Sequence, residues 1–332
     1  MKAQRCVMPR AGEVDIETVD LPAPAAGEIR VRTRYTLISP GTELAMFNGT
    51  HIGLPNPHNL FAKYPFRPGY AAIGTVEASE NADFAIGDTV YYQGQHQAAQ
   101  VLDPARQLVL PLPAGIEPTH APFARLAQIA NTALFVSDGA PKGSVAVIGL
   151  GLVGNFAAQL YQRAGATVYA FDTLAARCDW ARQSGLAHTT QVTGDLAETV
   201  AAVAGGKVDL AIEATGVGAL AVPCLQMVAD RGTVVLLGSP RDKVSIDTYD
   251  LIHRPGARLV GAHERLVPVM AAEGLDQRAV SRDMLQAIAG GAIKVQPLLS
   301  KVIAPAELAA SYRELESRKD QVLGVLLDWH RL

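Results

Sequence analysis

The residues with the clearest capacity for chemistry are three glycines, at 149, 151 and 154, and an aspartate at 172. The run Ser144-Val-Ala-Val-Ile ahead of them is continuously apolar, as expected for a parallel strand buried on both faces. The stretch Asn155 to Ala164 behind them has a helical texture. Asp172 closes the next apolar run, Thr167-Val-Tyr-Ala-Phe, 18 residues after Gly154. A bare Gly-x-Gly-x-x-Gly is weak, because glycines recur in many turns. Strand, turn and helix in that order, with an acid after the next strand, are what a dinucleotide site requires. Gly149 permits the tight turn, Gly151 lets a pyrophosphate approach the backbone, and Gly154 lets helix and strand pack closely. The helix start, with Leu152 and Val153, offers unpaired N–H groups and a positive dipole end to the phosphates. Asp172 can accept hydrogen bonds from both ribose hydroxyls and would repel a 2′-phosphate, so NAD is predicted rather than NADP. Arg177, five residues on, is placed for an adenine or phosphate contact and tempers that preference. Ala214-Thr215-Gly216 and Gly238-Ser239 follow two later strand-like runs, at the strand ends where open α/β sheets bind ligands. Taken alone, each reads equally well as a plain loop.

These residues need a doubly wound parallel sheet to hold them. Beyond the two runs above, the sequence predicts a helix over Leu174 to Ser184 and a strand from Val208. A helix over Gly218 to Val228, a strand from Gly232 and a last strand from Ala257 continue the alternation. Residues 1 to 122 have a different texture, rich in Pro, Gly and β-branched residues. Ile29-Arg-Val-Arg-Thr-Arg alternates apolar and polar positions, Ala72-Ile-Gly-Thr-Val is strand-like, and Gly87-Asp88 signals a turn before Thr89-Val-Tyr-Tyr. Many short strands with punctuating turns predict a β-rich, barrel-like domain. Residues 52–68 carry four prolines and read as an ordered surface loop. The expected division is therefore 1–122 with 263–332 for the β-rich domain and 123–262 for the dinucleotide domain, an α/β chain overall.

Composition narrows the function classes. The 332 residues exceed one compact core. The formal charge is −3 and no run of Lys or Arg exceeds two, so nucleic acid and anionic membrane are poor partners. Cys6, Cys178 and Cys224 are scattered, which argues against a disulfide framework or a multi-cysteine zinc lobe. The N-terminus lacks an apolar core of signal-peptide length, and the longest apolar stretches are too short to span a bilayer. A cytoplasmic protein is expected.

Over essentially its whole length the chain resembles the medium-chain dehydrogenase/reductase superfamily. The resemblance is carried by Ser39-Pro-Gly-Thr-Glu43, Pro68-Gly-Tyr-Ala-Ala-Ile-Gly-Thr-Val76, Gly87-Asp-Thr-Val90, Asn131-Thr-Ala133, the glycine motif and Glu213-Ala-Thr-Gly216. The stretch Ile252 to His263 looks most like the sugar and polyol branch. The resemblance implies a GroES-like catalytic domain, a Rossmann domain and a return segment. It also implies hydride transfer between a nicotinamide coenzyme and an alcohol/carbonyl pair, with Thr132 beside the nicotinamide. Zinc members carry Cys-Gly-Thr-Asp in the first stretch, Gly-His-Glu in the second, and Cys or Asp four residues before the Thr of Asn131-Thr132. Ser39, Tyr70 and Gln128 stand at those ligand positions here, and they lack the thiolate, imidazole or carboxylate donors that zinc takes. The sequence therefore predicts no metal.

Without zinc, proton handling falls to side chains. Tyr70 is the first choice for exchanging a proton with the substrate oxygen, with Ser39 and Gln128 beside it by resemblance. The alternative for Tyr70 is a ring packed at a strand start. Glu43 is either a hydrogen-bonded structural carboxylate or a general base, and His51 either a proton relay or a solvated loop histidine. His58, Lys63 and Tyr64 in the proline-rich loop are candidate substrate contacts, and His263 is a contact or a strand end. The leading expectation is an NAD-dependent dehydrogenase of a secondary alcohol in a sugar, cyclitol or similar small molecule. The alternatives are a zinc-free NADPH-dependent quinone or enoyl reductase, a dehydrogenase of a hydroxyethyl group on a chlorin-type macrocycle, and a non-enzymatic NAD-binding protein. By resemblance, with the edge strand near Arg258-Leu-Val-Gly261 paired across a two-fold axis, a homodimer or tetramer is expected.

Overall fold

Ile29 and Val31 are fully buried, and the alternation that begins there makes a long strand with one face inward. The computed structural model describes residues 1–139, 143–274 and 276–332. One unit holds residues 1–125, 281–290 and 299–332, and a second holds 126–280 and 291–298. The first begins with β1 (Lys2–Val7), β2 (Asp15–Asp20) and β3 (Ile29–Leu37), then α1 (Pro40–Phe47). The strands β4 (Ala72–Ser79), β5 (Thr89–Tyr92), β6 (Ala99–Leu102) and β7 (Val109–Pro111) follow. The short helix α1 was not foreseen. Pro40 opens it with a pre-set φ, and Ser39 stands at its N-cap position.

The helix α2 (Ala124–Val136) leads into β8 (Ser144–Ile148), α3 (Leu152–Arg163), β9 (Thr167–Asp172), α4 (Ala175–Gln183) and β10 (His188–Gln191). Then come α5 (Leu196–Ala204), β11 (Val208–Glu213), α6 (Ala221–Met227), β12 (Val228–Leu236) and β13 (Arg258–Gly261). The chain continues through α7 (Val267–Ala272), α8 (Gln277–Ala289), β14 (Leu299–Ile303), α9 (Leu308–Ser317) and β15 (Gly324–Asp328).

The second unit carries a six-stranded sheet in the order β10-β9-β8-β11-β12-β13. Every neighbouring pair in it is parallel. The direction of winding reverses between β8 and β11, which is the switch point where ligands bind in such sheets. Its core gathers Ala146, Ile148, Phe171, Ala211 and Val234 from the strands against Val200, Cys224 and Leu225 from the helices. The first unit carries a seven-stranded sheet in the order β14-β15-β3-β4-β5-β7, with β6 paired to β3, and a separate β1–β2 ribbon. This is the α/β architecture expected, a β-rich domain plus a Rossmann sheet.

The division differs from the expected one after residue 262. Residues 263–280 and 291–298 fall with the parallel sheet. Side-chain hydrogen bonds tie part of this segment there: Gln159 of α3 accepts from Lys294 N at 2.7 Å and donates to Lys294 O at 3.0 Å. Such an amide clamp leaves no mark in hydrophobic periodicity. The strand β10 was also missed, because His188-Thr-Thr-Gln is short, polar and at the sheet edge.

Candidate active site

The glycine turn occupies the carboxyl end of β8. Gly149 has φ +93°, a conformation L side chains rarely adopt. A Cβ on Gly154 would overlap the carbonyl oxygen of Gly149, so this glycine is what lets α3 lie against the turn. Gly151 differs from both. It caps α3 in an extended conformation (φ −62°, ψ −178°), and a Cβ there would meet nothing within 4 Å. The backbone at the helix start is thus open on the side where an anion would approach.

Asp172 ends β9 beside this cradle. Its Oδ2 accepts from Leu150 N at 2.8 Å and its Oδ1 from Leu174 N at 2.9 Å. A carboxylate has about four acceptor positions, so each oxygen keeps a second one. Arg177 Nη1 lies 3.6 Å from Asp172 Oδ2, an ion pair that draws the guanidinium toward the carboxylate. On the other side of the switch point Glu213 is fully buried. It accepts from Thr215 N at 2.7 Å, from the Thr215 hydroxyl, and from Gly216 N at 3.2 Å. Burial pushes its carboxyl above the usual range, and these donors pull it back. Gly216 has φ +75°, and a Cβ there would crowd Ser239 O at 2.9 Å, so the loops after β11 and β12 interlock. The structure therefore brings together the turn, Asp172, Arg177, and the 214–216 and 238–239 loops at one edge of one sheet.

The other unit holds a polar cluster. The Ser39 hydroxyl and the Tyr70 phenol share a hydrogen bond. The guanidinium carbon of Arg125 lies 5.1 Å from the centroid of the Tyr70 ring. Glu43 sits behind Ser39, fully buried, and its Oε1 accepts from Ser39 N at 2.9 Å. Its Oε2 pairs with His96 Nε2 at 3.0 Å and accepts from the Tyr312 phenol at 2.6 Å. Burial, then the Glu43 charge, hold the Tyr312 phenol well above its ordinary range, so it stays an O–H donor. His96 Nδ1 lies 2.7 Å from Thr36 Oγ1, which accepts from Trp329 Nε1 at 3.0 Å. A coherent proton assignment has Thr36 donating to Nδ1 and Nε2–H donating to the Glu43 carboxylate. The group clamps β3, α1, α9 and the chain end into one frame around Ser39. Of the two readings of Glu43, this geometry matches the structural carboxylate.

His96, Tyr312, Thr36, Trp329 and Arg125 were not singled out from the sequence. They join Glu43 or Tyr70 across dozens to hundreds of residues, a signal absent from local pattern. The Thr132 hydroxyl is within donating distance of Ile129 O at 2.7 Å and of Ala262 O at 3.0 Å, a contact between α2 and the residue after β13. His51 lies beyond the C-terminus of α1 and accepts from Gly53 N at 3.0 Å. Ser39 is at the other end of that eight-residue helix, roughly 12 Å of helical rise away. Tyr64 donates to Met46 O, His58 and Lys63 are exposed, and His263 accepts from Arg265 N at 3.0 Å as a turn cap. Gln128 is buried on α2, in the unit of the parallel sheet.

The chain is similar to known dehydrogenases. The zinc-binding dehydrogenase family matches residues 153–273. The chain is 26% identical over 230 residues to D-guloside 3-dehydrogenase of Shigella flexneri, covering 63% of this chain and 66% of that protein. It is 31% identical over 97 residues, 29% of each chain, to 2-desacetyl-2-hydroxyethyl bacteriochlorophyllide A dehydrogenase of Cereibacter sphaeroides. The fold superposes on L-idonate 5-dehydrogenase of Escherichia coli with a TM-score of 0.82 at 17% identity, over 99% of this chain and 98% of that one. The family match spans well under half of the chain, and the likeness to solved structures is one of fold. The segment matched by the family, 153–273, contains none of the positions where zinc members of the superfamily carry their ligands, so its name says nothing about Ser39, Tyr70 or Gln128. In this chain those positions present a hydroxyl, a phenol and a carboxamide. Among the described residues, no group of three or more His, Cys, Asp or Glu is placed to hold a metal ion. No helix among them is long and apolar enough to cross a membrane.

Proposed function

We propose that the chain is an NAD-dependent oxidoreductase that interconverts a secondary alcohol and a ketone in a polyhydroxylated substrate of the sugar or cyclitol class, without catalytic zinc. The open face at Gly151 beside Asp172 carries this reading. The N–H groups of Leu152 and Val153 would hold the diphosphate and Asp172 the ribose hydroxyls. When bound, the coenzyme supplies the hydride acceptor or donor. Tyr70 takes the hydroxyl proton of the alcohol in one direction and returns it to the carbonyl oxygen in the other. Ser39 donates to the phenolate oxygen when Tyr70 is deprotonated. Glu43 keeps Ser39 in place through its backbone N–H.

Asp172 supports NAD over NADP because its charge opposes a 2′-phosphate, and its pairing with Arg177 leaves that cation partly neutralised. Replacing Asp172 by Asn keeps an acceptor for Leu150 or Leu174 and removes the charge. The NADPH/NADH affinity ratio is expected to rise about tenfold, a change of about 1.4 kcal/mol, read by quenching of protein fluorescence. An unchanged ratio would remove the basis for the NAD assignment.

Zinc does not fit the donor set at Ser39, Tyr70 and Gln128, which lacks thiolate, imidazole and carboxylate. Dehydrogenase activity on a polyol and sugar panel is expected to survive dialysis against EDTA. Loss of activity with EDTA and recovery with zinc would overturn the metal-free reading.

A second substrate reading, a hydroxyethyl group on a chlorin-type macrocycle, is favoured by one observation. The loop after α1 exposes Ile52, Leu60 and Phe61, with Leu60 85% exposed, an apolar display unsuited to a sugar. We also propose a homodimer through β13, which ends the six-stranded sheet.

A further inference from the structure

We propose that Gln93 is a substrate-binding residue whose carboxamide holds a hydroxyl near the reacting carbon, and so selects a polyhydroxylated substrate over an alcohol with a single hydroxyl. The proposal rests on the reading of Ser39 and Tyr70 as the place where the substrate alcohol is held.

Three strands come to one edge of the sheet beside Ser39 and Tyr70. β3 ends at Leu37, β4 begins at Ala72 and β5 ends at Tyr92. Antiparallel pairing sets Thr36, Ala72 and Tyr92 in one row across the sheet. Past that row the chain keeps the same register, since His96 donates its backbone N–H to Pro68 O at 2.8 Å. That register puts Gln93 opposite Ala71, the residue after Tyr70, and Gly94 opposite Tyr70 itself. The two segments approach closely, because a Cβ on Gly69 would come within 2.4 Å of His96 N.

Gln93 is half-buried, and its Nε2 is fully buried without a hydrogen-bond partner among the described residues. Holding the loop does not account for this amide. The backbone of Gln93 already does that, donating to Leu108 O at 3.3 Å. Two other glutamines of the same loop use their side chains on it: Gln97 Nε2 donates to Ala99 O at 2.6 Å and Gln100 Nε2 to Gln95 O at 3.2 Å. A buried donor left unpaired costs free energy, and folded proteins keep few of them. A carboxamide donates from Nε2 and accepts at Oε1, and a sugar or cyclitol hydroxyl does both, so the two are complementary. The amide carries no charge and gives no particular hold on a phosphate or carboxylate. An apolar macrocycle would leave it unpaired. A substrate that lacks the hydroxyl also leaves the donor unpaired, which is how a hydrogen-bonding site rejects a deoxy analogue.

Gln93→Met tests this, because methionine keeps the length of the side chain and removes both the donor and the acceptor. The first measurement is thermal unfolding, which needs neither coenzyme nor substrate. Removing an unpaired buried donor is expected to leave the midpoint unchanged within about 2 °C or to raise it by about 2–4 °C. A larger fall, or a variant that does not fold, makes the amide structural and overturns the proposal. The second measurement is kcat/KM for sugars and cyclitols set against their deoxy analogues, each lacking one hydroxyl near the reacting carbon. The ratio of parent to deoxy analogue is expected to fall about 10- to 100-fold in Gln93→Met for at least one deoxy position. A structural role would lower both rates together and leave the ratio alone. If the unsubstituted protein oxidises the panel and no ratio moves in Gln93→Met, the proposal falls while the reading of the site stands. If the unsubstituted protein oxidises no member of the panel, that reading falls and takes the proposal with it.

Discussion

Gly151→Asp is expected to weaken NADH binding roughly 100- to 1,000-fold while leaving the thermal unfolding midpoint nearly unchanged. The two halves of that expectation come from different facts. Gly151 has an extended backbone that any residue adopts, and a Cβ there meets nothing within 4 Å, so the fold has no objection to a side chain. The open space is the face on which the helix N-terminus would receive a diphosphate, and a carboxylate there opposes that charge. Gly154→Ala is the contrasting substitution. Its Cβ would strike the Gly149 carbonyl, and backbone cannot swing aside as a flexible side chain does. A loss of about 1–3 kcal/mol in stability is expected, typical of overpacking. Calorimetry with NADH and thermal unfolding on both variants measure the pair. If Gly151→Asp binds NADH like the unsubstituted protein, the cradle is not the coenzyme site and the enzyme reading fails with it.

Tyr70→Phe is expected to lower the rate of alcohol oxidation about 100- to 10,000-fold, the usual range for removing a general acid–base group, with NADH affinity unchanged. The ring stays, so its packing and its contact with Arg125 stay, and only the oxygen that meets Ser39 is lost. That isolates proton transfer from architecture. Steady-state kinetics should show the loss in kcat rather than KM, because the phenol is asked to act in the transition state. A residual rate within about threefold of the unsubstituted enzyme would assign proton transfer to another group.

Other residues show why part of the site escaped a reading of the sequence. Glu43 lies in a recognisable stretch, but its role as a clamp depends on His96, Tyr312 and, through His96 and Thr36, Trp329. Those partners reach it from the loop before β6, from α9 and from the chain end. Each alone is an unremarkable buried polar or aromatic residue. Thr132 sits in a familiar triplet, and its hydroxyl is placed to donate to the Ile129 or the Ala262 carbonyl, a tie that no local pattern announces. His51 follows α1 at a suggestive interval, but an unforeseen helix carries it away from Ser39.

The parallel sheet, the glycine turn and the acid after the second strand of that sheet were legible in the order of residues alone, as were the hydroxyl, phenol and carboxamide at Ser39, Tyr70 and Gln128. All of these are local, since apolar runs of strand and helix period, glycines at fixed offsets and donor chemistry can be read from neighbours in the chain. Only the tertiary structure decided that Gly151 faces open space while Gly154 faces backbone, that Glu43 is locked behind Ser39, that residues 263–280 join the sheet unit, and that a buried arginine lies against Tyr70. The reason is that side-chain hydrogen bonds and charge contacts act over a few ångströms in space, whereas their partners here are separated by up to hundreds of residues, and a single sequence carries no record of which distant pairs will meet.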